Sequence, residues 1–98
     1  MIKTKSDINK HVGSLIRKLR VEHGLSGKEL GDMIGISQQQ ISRYERAKSD
    51  ISLNTLVKIA AGFNYTLLQF IIEMDAIALN ETQDNKFIFE RKNTFELF

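Results

Sequence analysis

SGKELGDMIGISQQQISRYERAK, running from Ser26 to Lys48, reads as two short helices joined by a tight turn. Ser26 offers an N-cap oxygen, and Glu29, three residues on, completes the reciprocal capping box. Leu30, Met33 and Ile34 give this helix an apolar face. Gly35 is its stop, because glycine enters the left-handed conformation that ends helices. Ser37 opens a second helix, with Gln40 placed to reach back to the cap. On that helix Ile41 and Tyr44 are the inward residues, which leaves Gln38, Gln39, Ser42, Arg43 and Arg46 outward. An ordinary solvent face carries glutamate and lysine more often than glutamine, serine and arginine. A glutamine amide sets a donor beside an acceptor, matching N6 and N7 of adenine, and an arginine fork matches O6 and N7 of guanine. The stretch predicts a helix-turn-helix whose second helix reads DNA.

Composition bounds what surrounds it. Ninety-eight residues make one small domain with a thin core. An apolar share of 42% and a charged share of 27% are those of a folded chain, not a disordered one. There is no cysteine, so disulfides and thiolate metal sites are excluded, which suits a reducing cytosol. The opening MIKTKSDINK has no signal-peptide core and no apolar run approaches a bilayer span, so the expected location is the cytoplasm, with no membrane partner. The absence of proline agrees with a mostly helical chain. Residues 1–50 hold ten Lys/Arg against six Asp/Glu, and residues 51–98 hold four against six. The basic half contains the reading helix, as a phosphate-facing surface requires.

Upstream, Met1 to Ser6 is polar and reads as a frayed arm. Ile8, Val12, Leu15, Ile16 and Leu19 recur at helical spacing, predicting a helix from Asp7 to Glu22 that Gly24 ends. His11 and His23 are far apart and without Cys or acidic neighbours at ligand spacing; both are expected at the surface, with no metal site and no cofactor. Downstream, Ser52 caps a helix with apolar residues Leu53, Leu56, Val57, Ile59, Ala60 and Phe63, broken at Asn64–Tyr65. Thr66 caps the last segment, TLLQFIIEMDAIALN, which is apolar on more than one face and needs cover on two sides. That cover is either a second copy of the chain or the chain's own tail. For a dimer, the seam residues are Phe70, Ile71, Met74, Ile77, Phe87 and Phe89. Four of the six phenylalanines lie in the tail, where KFIFERKNTFELF fits a strand or a helix. The expected division is a DNA-binding domain over 7–79, with a polar break at 80–85, and a tail over 80–98.

From Arg17 to Glu45 the chain resembles the Cro/C1-type (XRE) helix-turn-helix regulators of bacteria and phages. The resemblance is carried by IRKLR at 16–20, GLS at 24–26, KEL at 28–30, IGIS at 34–37 and ISRYE at 41–45. It continues through SLNTLVKIA at 52–60 and TLLQF at 66–70. It implies an all-α, five-helix domain with the third helix, about Gln38 to Arg46, in the major groove of double-stranded DNA, followed by a short extension that is a strand or a helix. It also implies base contacts from Gln38, Gln39 and Arg43, with Gln40 divided between a base and the cap. Ser37, Ser42, Lys28, Arg46 and Lys48 are the implied phosphate contacts. Arg20 and Glu45 stand where the family joins helix 1 to the end of helix 3 by a salt bridge. SQQQISRYE and the apolar extension further resemble the MrpJ-type regulators encoded with fimbrial operons, which implies control of fimbrial and motility genes. The chain departs from the family at Gly27, where a phosphate-binding Gln is common, at Gly31 for Ala, at Ala47 for Gly and at Ile51 for Pro.

The expected mechanism is occupancy of a roughly palindromic operator by a homodimer, with reading helices about 34 Å apart. An antitoxin or a phage or plasmid repressor with the same domain is an alternative within DNA binding. A protein-interaction module without DNA binding is another, which the outward Gln/Arg face disfavours. An enzyme is not expected, since no carboxylate pair, Cys/His arrangement or phosphate-binding glycine loop is present, and no small-molecule substrate is evident.

Overall fold

The computed structural model describes residues 4–82. Its helices, in chain order, are α1 (Lys5–Glu22), α2 (Gly27–Ile34), α3 (Gln38–Glu45), α4 (Leu53–Gly62) and α5 (Leu67–Thr82). No strand occurs among the described residues. Each helix begins at a hydroxyl that takes up an otherwise orphaned backbone N–H. Thr4 accepts from Asp7 N at 3.1 Å, Ser37 from Gln40 N at 3.1 Å and Ser52 from Thr55 N at 3.1 Å. Ser26 and Thr66 make full reciprocal boxes, with Glu29 and Gln69 returning to the cap N–H at 2.9 and 2.8 Å. Caps of this kind stabilise a helix by about 1 kcal/mol each, which short helices need. Gly24 and Gly35 take left-handed conformations at φ 67° and 75° and turn the chain out of α1 and α2.

The core is a single cluster. Val12, Leu15, Ile16 and Leu19 of α1 meet Leu30 of α2, Ile41 and Tyr44 of α3, Ile59 and Ala60 of α4, and Phe63, Phe70 and Met74. Helix α1 packs on α3 and α5, α2 packs on α3 and α4, and α4 packs on α5. The α2–α3 pair thus rests on α1 and α4, which α5 backs in turn, with one face of α3 left to solvent.

The structure differs from several sequence expectations. Helix α1 starts at Lys5, two residues before Asp7, because the TKSD run supplies a cap at Thr4. His11 is buried, not at the surface, since it shares the inward arc of α1 with Leu15. Met33, Leu53 and Val57 are exposed although they sit at core spacing; the apolar arcs of α2 and α4 are wider than the neighbouring helices cover. Phe70 and Met74, expected at a dimer seam, are core residues of the protomer itself. The exposed apolar residues of α5 are Leu68, Ile71 and Ile72, with Ile77 half-buried against the core. Helix α5 continues to Thr82, through the expected break and domain boundary at residue 80. Phe87, Phe89 and the strand-or-helix question of the tail lie outside the described residues.

Candidate nucleic-acid interface

The turn between α2 and α3 is closed by the Gly31 carbonyl, which accepts from Gly35 N and from Ile36 N, the latter at 2.9 Å. A Cβ at residue 31 would overlap the carbonyl oxygen of Ile36, so glycine is what lets the chain fold back this tightly. Ser37 then starts α3, with Ile41 and Tyr44 turned into the core. Gln38, Gln39, Arg43 and Arg46 are exposed and Ser42 is half-buried. Together these five side chains line one shallow, open depression. It offers amide donors and acceptors at the N-terminal end and guanidinium groups toward the C-terminal end. That is the chemistry of a base edge flanked by phosphate.

Helix α3 is held from below. Arg20 donates from Nε to Glu45 Oε2 at 2.7 Å and from Nη2 to Glu45 Oε1 at 3.0 Å, and Nη1 donates to the Leu25 carbonyl at 2.9 Å. The two side chains are 16% and 8% exposed, so this is a bidentate pair shielded from water, not a surface contact. The hydrogen bond to Glu45 raises the Arg20 pKa against the opposing effect of burial. Arg17 approaches the same carboxylate at 4.0 Å from the solvent side. The backbone of α1 comes equally close, because a Cβ at Gly13 would overlap the Tyr44 carbonyl oxygen and lie 2.8 Å from that of Glu45. Gly13 was not singled out in the sequence, because nothing local to it signals an approach by residues 44 and 45.

The remaining expected site residues fall into different settings. Arg43 donates from Nη2 to the Lys48 carbonyl at 3.2 Å, and Arg46 donates from Nε to the Ser42 carbonyl at 3.3 Å. Lys48 is exposed just past a turn in which Ala47 has φ 57°, the conformation that a glycine would take more readily. Gln40 does not return to the cap or line the depression; it is half-buried and donates from Nε2 to Ser49 Oγ at 3.1 Å. Lys28 is tied to Asp32 Oδ2 at 2.9 Å, which raises its pKa. A further ion pair, Lys5 Nζ to Asp50 Oδ2 at 2.6 Å, and a hydrogen bond donated by Asn9 Nδ2 to Asp50 Oδ1 at 2.8 Å fasten the 47–50 turn to α1. These contacts span more than forty residues of chain, beyond the reach of any local sequence signal. Among the described residues no group of His, Asp or Glu is arranged to hold a metal ion. No single helix there is long and apolar enough to cross a membrane.

Residues 16–70 match the model of the HTH_3 family, described as helix-turn-helix. A protein of Thermococcus kodakarensis provisionally named an HTH-type transcriptional regulatory protein is 32% identical over 85 residues, covering 81% of this chain and 27% of its own. An uncharacterized HTH-type transcriptional regulator of Rickettsia conorii is 35% identical over 63 residues, covering 64% of this chain and 50% of its own. The chain therefore spans about half or less of the length of these relatives. The clp gene regulator ClgR of Corynebacterium glutamicum superposes with a TM-score of 0.70 at 19% identity, over 76% of this chain and 79% of its own; at that identity the likeness speaks for the fold. The matched segment begins within α1, contains the whole α2–turn–α3 unit and ends at Phe70 in α5. The chain belongs to the HTH_3 helix-turn-helix family.

Proposed function

We propose that this chain is a sequence-specific transcriptional regulator that binds a roughly palindromic operator as a homodimer, one α3 in each of two successive major grooves. The observation that carries the reading is the single exposed face of Gln38, Gln39, Ser42, Arg43 and Arg46 on a helix fixed by a shielded ion pair. Gln38, Gln39 and Arg43 read bases. Ser42, Arg46 and Lys48 meet phosphates, as does the Ser37 end of the helix, where backbone N–H groups and the helix dipole favour an anion. Lys28 adds a phosphate contact only by exchanging Asp32. Gln40 leaves the base-reading set, since its amide is engaged by Ser49.

For the dimer, the support is the arc of α5 that carries Leu68, Ile71 and Ile72, which is exposed among the described residues. The site of action is the bacterial cytoplasm. The likeness of SQQQISRYE to the MrpJ-type regulators supports the narrower reading, control of fimbrial and motility genes.

The test is binding of the purified protein to its own upstream DNA and to a flagellar master-operon promoter, with random duplex as competitor. Specific binding that a Gln39→Ala/Arg43→Ala variant loses is expected. Binding indifferent to both sequence and variant would remove the base-reading role. A preference for the upstream DNA alone would remove the motility reading and leave the regulator.

A further inference from the structure

Arg43 is exposed, and a long side chain free in solvent loses rotamer entropy when it docks on a base. Its guanidinium is not free, because the Lys48 carbonyl accepts from Nη2 at 3.2 Å and leaves the other N–H groups of the fork available. The position of that carbonyl depends on the turn after α3. Within this turn Ala47 holds a strained positive φ of 57°, and the main chain closes through Lys48 N to the Arg43 carbonyl at 2.8 Å. Beside the Arg43 contact, Gln40 Nε2 donates to Ser49 Oγ at 3.1 Å, a partly buried side-chain bond from α3 into the same turn. Asn9 and Lys5 hold the next residue, Asp50, from the α1 side.

We propose that Gln40 and Ser49 are positioning residues for Arg43: their hydrogen bond sets the 47–50 turn, and the Lys48 carbonyl in that turn aims the Arg43 guanidinium at its base. The inference rests on α3 being the base-reading helix. It assigns specificity to two side chains that touch no DNA, and it explains why the third glutamine of the QQQ run is half-buried while the other two are exposed.

The test uses a duplex selected from random sequence by the wild-type protein, with unselected duplex as the reference, and reads the ratio of the two affinities. Ser49→Ala and Gln40→Ala are each expected to lower that ratio about two- to tenfold, the fold-change that one neutral hydrogen bond commands. Affinity for unselected duplex, which also reports folding, stays unchanged, and Ser49→Thr, which keeps the hydroxyl, retains the ratio. In an Arg43→Ala background, Ser49→Ala has no further effect on the ratio. A full ratio in Ser49→Ala would overturn the proposal, as would a Gln40→Ala loss that persists in the Arg43→Ala background, which would make Gln40 a direct base reader. If no duplex can be selected, or if Arg43→Ala keeps the full ratio, the base-reading assignment itself fails, and the proposal fails with it for that separate reason.

Discussion

Glu45→Gln removes a charge while keeping the shape of the side chain, and it isolates what the Arg20 pair contributes. In the native protein the Arg20 guanidinium makes two bonds to the carboxylate and one to the Leu25 carbonyl. After the change one amide oxygen can still accept, but the amide N–H₂ faces the other guanidinium donor and the positive charge is left without a counter-charge at bonding distance. Breaking a shielded pair from one side costs roughly 3–5 kcal/mol. The Leu25 carbonyl and the 16% exposure of Arg20 place the expected value at the lower end, about 3 kcal/mol. For a domain of this size that corresponds to a fall in Tm of roughly 12–24 °C. Urea unfolding followed by circular dichroism gives the free energy, with an unchanged denaturant slope as the check that both states are the same. Arg20→Met/Glu45→Leu, which replaces the pair by apolar groups of similar volume, is expected to be more stable than Glu45→Gln. A cost for Glu45→Gln below about 1 kcal/mol, the range of exposed ion pairs, would refute the reasoning. So would a double variant less stable than the single one.

Three further outcomes follow from the backbone and the caps. Gly31→Ala should destabilise by about 1–3 kcal/mol because its Cβ meets the Ile36 carbonyl, whereas Gly27→Ala, with 3.7 Å to Gln38 Cγ, should stabilise by about 0.4–1 kcal/mol; equal melting temperatures for the two would contradict the packing of the turn. Ala47→Gly should stabilise by about 0.5–1 kcal/mol through relief of its left-handed conformation, seen as a higher Tm, and a lower Tm would count against strain in that turn. The Ser26 backbone N–H holds the Glu29 carboxyl below its ordinary value of 4.5, so its contribution is present above that value and is lost as pH falls through the depressed one. The acid limb of the stability profile should therefore be shallower in Glu29→Gln, and superimposable profiles would show that the box is neutral to charge.

Where an element is set by its own residues, the sequence was enough. The Ser26–Glu29 box, the left-handed Gly35 and the Ser37 cap are all local rules, and with Ile41 and Tyr44 as the inward residues they define α3 and its outward face. The break at Asn64 was legible too, and its φ of 63° is the conformation asparagine tolerates. What escaped depends on residues far along the chain. Gly13 matters because the Tyr44 and Glu45 carbonyls arrive there, and Gln40 has a partner nine residues on, not three residues back. Helix α5 escaped for a different reason. With apolar residues on two arcs, periodicity gives no preference between Phe70 with Met74 and Leu68 with Ile72, and only the packed core shows which arc is inward.

Helix α1 lies under α3 and against α5 at once, which has a consequence for synthesis. A chain emerging from the ribosome presents the complete α2–turn–α3 unit as soon as Lys48 is free. At that point Leu15, Ile16 and Leu19 are covered on one side only, because Phe70 and Met74 are still inside. Helices α2 and α3 therefore belong to no separate folding unit, and a nascent or prematurely ended chain holds all residues of the proposed reading face without the scaffold that orients them. That scaffold is complete only once the first two turns of α5 close the core.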